Sequence, residues 1–289
     1  MHKTPVFEVK NLTYRYKKDG ENVVKGIDFK IEEGEIFGLL GPSGAGKSTT
    51  QKILTKLLSG YQGDVLYFGK PLESYDNRYF EDVGVGFELP VHFQKLTALE
   101  NMRFFQNLYQ TKVPIEPLLE RVGLLEDKDK LVGSFSKGMK MRLNFVRALL
   151  NQPKVLFLDE VTNGLDPSNA RILKDMILEF KQNGGTVLLT THLMHDVEAL
   201  CDRVAFIKQG EIVETDTPRA LKLKYGSRRL TVEHYVNGKT AKAQFDLDGI
   251  GKNSKFLELL NTQTIETIHT GETSLEEIFI HITGRDGRG

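Results

Sequence analysis

The chain has little that would hold it together by covalent cross-links or carry it into a bilayer. Cys201 is the only cysteine among 289 residues, which excludes an intramolecular disulfide and fits a reducing compartment. No apolar run approaches the roughly 20 residues that a membrane-spanning helix needs. The opening segment, MHKTPVFEVKNLTYRYKKDG, lacks the apolar core of a signal peptide. A soluble protein is therefore expected, one that reaches a membrane only through a partner. An excess of one charge is missing too: 39 Lys and Arg balance 39 Asp and Glu, so the net charge is zero. Such a chain offers no electrostatic argument for binding nucleic acid along a broad surface. Low-complexity tracts are absent, and with 39% hydrophobic and 27% charged residues the composition is that of a globular protein. The length allows one large domain, or a large one with a small one.

What is present begins at residues 41–49, GPSGAGKST. This fits the phosphate-binding pattern G-x-x-x-x-G-K-[ST], with Gly41, Gly46, Lys47 and Ser48 in the required places. Glycines let the backbone curl until successive N–H groups face inward on a polyphosphate. Gly41, Pro42, Ser43, Gly44, Ala45, Gly46, Lys47, Ser48 and Thr49 together form the expected cradle. Lys47 reaches the β- and γ-phosphates, and the Ser48 hydroxyl becomes a ligand for Mg²⁺. The flanks suit the motif: the apolar run at 35–40 predicts a buried strand, and Ile53, Leu54, Leu57 and Leu58 predict a helix over 48–58. A helix N-terminus then lies under the phosphates.

A second apolar run, at 155–158, ends in Asp159 and Glu160. A strand ending in Asp beside a phosphate loop is where Mg²⁺ is held, directly or through water. Glu160 suits a general base that orients the attacking water. Upstream, Ser136 is a good N-cap for a helix running through Arg142, Phe145 and Leu149 to a stop at Pro153. A serine and open amides at a helix start form an anion site.

At this point the chain resembles the ATP-binding subunits of ABC transporters. Their signature loop, LSGGQ, corresponds to Phe135, Ser136, Lys137, Gly138 and Met139. Further segments match in the family order. Residues 163–167 resemble the D-loop, which implies that Asp166 crosses a dimer interface, and His192 after the strand at 186–189 resembles the switch histidine. Tyr16 sits where the family places an aromatic that stacks on adenine; Tyr14, on the same face, is the alternative. Residues 83–87 with Glu88 resemble the strand into the Q-loop, and residues 96–101 the start of the helical subdomain, where Thr97 and Glu100 make a capping box.

The resemblance covers residues 5 to 215 and implies a P-loop (RecA-like) α/β fold. The expected domain is 1–215: a mainly parallel sheet, an antiparallel β edge from the N-terminus and an inserted helical subdomain near 89–152. It also implies a mechanism in which two subunits sandwich two ATP·Mg²⁺. Each ATP lies between Lys47, Ser48 and Asp159 of one subunit and Ser136 and Gly138 of the other. Glu160 positions water, His192 holds the γ-phosphate, and Glu88 faces Mg²⁺ or the lytic water. The implied partners are a separate transmembrane permease, gripped around 88–94, and a second copy of this chain. That places the protein in the cytoplasm, peripheral on the inner face of the membrane. Three positions depart from the family pattern: Glu88 for Gln, Lys137 for Gly and Met139 for Gln. Similar substitutions mark the branch serving drug, antibiotic and bacteriocin exporters. A non-transport ABC ATPase is disfavoured because neither a second cassette nor a long coiled coil occurs. A GTPase is disfavoured because no Asn-Lys-x-Asp segment occurs.

The family core ends near Pro218, leaving 216–289 as a small α+β extension. With no Gly/Ser linker, the extension is expected to pack on the core. Alternation at Leu230, Val232, His234 and Val236, then Asn237-Gly238, then Ala241, Ala243, Phe245 and Leu247, predicts a hairpin. A helix over 252–260, a strand over 264–269 and a capped helix from Ser274 through Phe279 follow.

Overall fold

The computed structural model describes residues 5–226, 229–236, 238–271 and 273–284. The chain divides into two compact units, Met1–Thr217 and Pro218–Gly289. In the first, β1 (Pro5–Tyr14) and β2 (Val24–Glu32) pair antiparallel, and β3 (Ile36–Leu40) leads into the phosphate loop and α1 (Lys47–Leu54). β4 (Gln62–Tyr67) pairs with the free edge of β1, and β5 (Lys70–Pro71) with β4. The N-terminal strands thus build a four-stranded antiparallel sheet of their own, ordered β2-β1-β4-β5.

After α2 (Tyr79–Asp82) the chain enters β6 (Val83–Gly86), then three helices: α3 (Ala98–Gln106), α4 (Ile115–Arg121) and α5 (Lys137–Ala148). It returns through β7 (Val155–Asp159), α6 (Pro167–Gln182), β8 (Thr186–Thr190), α7 (Met194–Leu200), β9 (Arg203–Lys208) and β10 (Glu211–Asp216). The second sheet is ordered β10-β9-β3-β8-β7-β6 and is parallel except for the β9–β10 pair. β3 and β8 are buried at every position, as expected of central parallel strands that read as unbroken apolar runs. β7 is buried until Asp159, where the carboxylate emerges.

Local chemistry sets the element ends. Thr97 and Glu100 form the reciprocal capping box that starts α3. Ser136 caps α5 by accepting from the Met139 amide. The periodicity expected to carry the first helix to Leu58 breaks earlier, at Leu54. Lys56 turns into the left-handed region (φ 57°), and the Leu57 and Leu58 amides fold back onto the Lys52 carbonyl. This closes the helix as a Schellman-type end and leaves Leu57 exposed.

β6 and α5 approach unusually closely. A Cβ at Gly84 would lie 1.9 Å from the Ala148 carbonyl oxygen, a backbone atom that cannot swing away. Gly84→Ala is therefore expected to destabilise the fold by about 1–3 kcal/mol or more, read as a fall in urea midpoint.

The second unit opens with α8 (Pro218–Tyr225) and holds β11 (Arg229–Val236), β12 (Lys239–Asp246), α9 (Ser254–Thr262), β13 (Ile265–Gly271) and α10 (Leu275–Thr283). Its sheet is antiparallel in the order β12-β11-β13. The hairpin is present, with Gly238 at φ 76°; Asn237 lies outside the described residues. The helix expected over 252–260 starts two residues later, because Asn253 takes the cap and accepts from the Phe256 amide. The last helix opens on the Ser274–Glu277 capping box and continues beyond Phe279 to Thr283.

Candidate active site

β3, β7 and β8 run parallel, so their C-terminal ends open on one crevice, the usual place for a ligand in such a sheet. The phosphate loop leaves β3 there. Gly44 and Gly46 adopt φ of 78° and 112°, and the space around Gly44 is open for 4 Å. Gly41 is fixed differently: a Cβ there would stand 2.3 Å from the Ile207 carbonyl oxygen. Gly46 precedes α1 without a side-chain cap, which leaves first-turn amides available to an anion. The Lys47 ammonium donates to the carbonyl oxygens of Gly41 (2.6 Å) and Pro42 (3.1 Å), folded back over its own loop. Burial pushes its pKa below the usual lysine range, opposed by the nearby Glu160, Asp159 and Glu88 carboxylates. Ser48 and Ser43 are exposed.

The carboxylates come from the end of β7. Asp159 is paired in register with Thr190, whose hydroxyl donates to it. Glu160, 8% exposed, turns out of the strand with φ 51°, a left-handed backbone that a non-glycine residue adopts at a cost. Three contacts hold it: its amide donates to the Thr190 carbonyl (2.9 Å), the Thr191 hydroxyl to Oε2 (3.2 Å), and His192 Nδ1 pairs with Oε1 (2.8 Å). The structure thus brings Lys47, Asp159, Glu160 and His192 together. Thr190 and Thr191 place the two carboxylates, a role that the segment ending in His192 signals only by its two consecutive hydroxyls at the strand end.

Tyr16 lies just beyond β1, more than half exposed, with its hydroxyl 3.0 Å from Thr49 Oγ1. Tyr14 instead packs on the core and meets Tyr16 edge-on at 5.2 Å. Ser136 is exposed at the start of α5, and Leu165 of the following turn lies against Gly138. The Lys137 side chain extends over Gly164 of that turn. Asp166 caps α6, accepting from the Ser168 (3.1 Å) and Asn169 (3.0 Å) amides. The side-chain and backbone bonds from Asn169 lead the effects that hold its carboxyl below the usual range.

Glu88 follows β6 and is exposed, and the segment after it is tied to α5. Asn144 donates to the Phe87 carbonyl (2.8 Å), Arg147 to the Val91 carbonyl (2.8 Å), and His92 Nε2 to the Lys140 carbonyl (3.1 Å). Burial holds the His92 ring down to a pKa of about 4, so it stays neutral near pH 7. Above this framework Leu89, Val91 and Phe93 are exposed, as are Phe104 and Leu108. Among the described residues no helix is long and apolar enough to cross a membrane.

A group of three or more His, Cys, Asp or Glu side chains able to cage a metal does not occur among the described residues. Mg²⁺ needs no such cage: one hydroxyl, one carboxylate, phosphate oxygens and water supply the hard oxygen donors it prefers, and Ser48 and Asp159 fit that set.

A glycine loop between a buried parallel strand and an uncapped helix, with two carboxylates at the end of β7, one strand beyond β8, defines a P-loop nucleoside triphosphatase. The chain belongs to the ATP-binding proteins of ABC transporters and is an ABC transporter ATPase. The ABC transporter family model matches residues 24–163, and the model of the fluoroquinolone efflux ABC transporter C-terminal domain matches residues 228–272. The chain is 49% identical to the fluoroquinolones export ATP-binding protein of Mycobacterium tuberculosis, over 98% of this chain and 94% of that one. It is 31% identical to the linearmycin resistance ATP-binding protein of Bacillus subtilis, over 97% and 99%. Among solved structures it resembles an ATP-binding subunit of an ABC transporter, with a TM-score of 0.70 at 29% identity over 76% of this chain and 93% of that one. A dimeric bacterial ABC transporter cassette matches with a TM-score of 0.67 at 25% identity, over 73% and 98%.

Proposed function

We propose that this chain is the ATPase of a drug exporter, working as a homodimer on the inner face of the cell membrane with a separate permease. The observation that carries the export reading is the similarity to the mycobacterial exporter subunit, which does not stop at the cassette but runs through the second unit. A planar, amphiphilic antibiotic of the fluoroquinolone kind is accordingly the cargo class.

In this reading the amides of residues 41–49 and the Lys47 ammonium hold the phosphates, and the Tyr16 ring takes the adenine. Ser48 and Asp159, with Glu88 beside them, would hold Mg²⁺, which would supply countercharge for the phosphates. Glu160 orients and deprotonates the attacking water, and His192, held by Glu160, donates toward the γ-phosphate. From the second copy come Ser136 and Gly138 at the N-terminus of α5, with Asp166 at the interface. Two competent half-sites from one chain favour the homodimer. The apolar side chains of Leu89, Val91 and Phe93 suit a permease contact, because the ties from Asn144, Arg147 and His92 couple that surface to the helix bearing Ser136.

The test uses tagged Glu160→Gln protein with ATP·Mg²⁺ as bait on detergent-solubilised membranes of the native host. A multi-spanning membrane protein is expected among the captured chains by mass spectrometry. Recovery of soluble partners alone would overturn the transporter assignment of this site. In the same host, loss of the chain should raise fluoroquinolone accumulation; unchanged accumulation would overturn the cargo class.

A further inference from the structure

Asp196 lies on α7, four residues after His192, and is 1% exposed. A carboxylate so deeply buried is costly unless each oxygen is paired. Here both are. Thr162, in the turn after Glu160, donates its hydroxyl to one oxygen, and the other meets the Lys174 ammonium of α6 at 3.1 Å and His195 Nε2 at 3.0 Å. One buried group therefore joins three segments: the turn that follows Glu160, the helix that the turn leads into, and the helix that follows His192.

The location matters because the sheet stops holding these segments where the chemistry begins. The β7–β8 ladder ends at Asp159 and Thr190, and one further backbone bond, from the Glu160 amide to the Thr190 carbonyl, reaches past it. Beyond that the chain at 160–165 is a turn, closed by Asn163 N to Glu160 O (3.0 Å) and Leu165 N to Thr162 O (3.2 Å). These bonds shape the turn without fixing it to the His192 segment. The tie from Thr162 to Asp196 does.

We infer that Asp196 is a positioning residue that acts through Thr162 to hold the Glu160 turn against the His192 segment, with Lys174 keeping the carboxylate oriented. The inference rests on the reading of Glu160 and His192 as the pair that handles the attacking water. Asp196 and Thr162 touch neither phosphate nor metal in this scheme. Their effect is to keep the Glu160–His192 contact in register, and a displacement on the order of 1 Å can cost about 100-fold in rate.

The experiment measures steady-state ATPase activity of the purified full chain. Thr162→Val removes the donor, Thr162→Ser keeps it, and each is combined with His192→Ala. Thr162→Val is expected to lower kcat by about 10- to 100-fold with KM for ATP·Mg²⁺ nearly unchanged, and Thr162→Ser to recover most of the rate. In the His192→Ala background Thr162→Val should cost nothing further, since the contact it supports is already gone. A merely structural role would lower the melting temperature and leave the rate losses additive. An unchanged kcat in Thr162→Val, or equal losses with and without His192, would overturn the inference. If Thr162→Val does not fold, Asp196→Asn replaces it, with the same volume but no charge for Lys174; the same pattern in kcat and the same non-additivity are expected. Full turnover in Glu160→Gln would instead bring down the underlying reading of the site, whichever way the Thr162 variants behave.

Discussion

Glu160→Gln is expected to bind ATP·Mg²⁺ about as well as the parent chain and to turn it over about 10²–10⁴ times more slowly. The substitution removes the proton acceptor with little change of shape. Glutamine has the size of glutamate, can still accept from the Thr191 hydroxyl, and imposes the same side-chain constraint on a backbone at φ 51°. What it cannot do is take a proton from water. Single-turnover hydrolysis by the purified protein separates this step from nucleotide release, and an undiminished rate would remove Glu160 from the base role. The His192 contact at 2.8 Å sharpens the expectation. A carboxylate there orients the imidazole, so Glu160→Gln should also perturb whatever His192 does at the γ-phosphate.

Lys47→Ala is expected to lose both affinity and rate, with kcat down by about 10²–10³ and ATP binding weakened in titration calorimetry. The ammonium rests on the Gly41 and Pro42 carbonyls, in the middle of the glycine loop. Its charge is already favoured by the three nearby carboxylates, against the burial that lowers its pKa. Removing it leaves Asp159, Glu160 and Glu88 facing a polyphosphate with less countercharge, so repulsion adds to the missing contact. Lys47→Arg should fail as well, because a planar guanidinium does not fit a site shaped for a compact ammonium. An unchanged Kd for ATP in Lys47→Ala would take Lys47 out of the phosphate site.

The parts of this site that were legible in the sequence are those whose chemistry is local. The phosphate loop shows itself because glycines at 41, 44 and 46 meet needs set by their immediate neighbours: a close carbonyl at one, positive φ at the other two. The Thr97 and Ser274 capping boxes are legible for the same reason, since both partners lie within three residues. Contacts decided by strand register are not legible that way. Glu160 meets His192 because β7 and β8 pair Asp159 with Thr190, and no spacing along the chain encodes that alignment. Asp196, Thr162 and Lys174 went unremarked because an acid, a hydroxyl and a base on separate elements carry no pattern until the fold assembles them. The end of α1 was missed for the opposite reason. Leu57 and Leu58 continue a helical period, but the left-handed turn at Lys56 overrides it.

The left-handed backbone at Glu160 has a consequence for anyone who evolves this protein in the laboratory. Glutamate pays about 1–3 kcal/mol to sit at that dihedral, and glycine would relieve most of it. A library screened for heat tolerance alone sets that relief against the Thr191 and His192 contacts, and any glycine or asparagine it admits at position 160 would give a protein that holds nucleotide without consuming it. Thermostable and working variants will come from selections that demand turnover in every round.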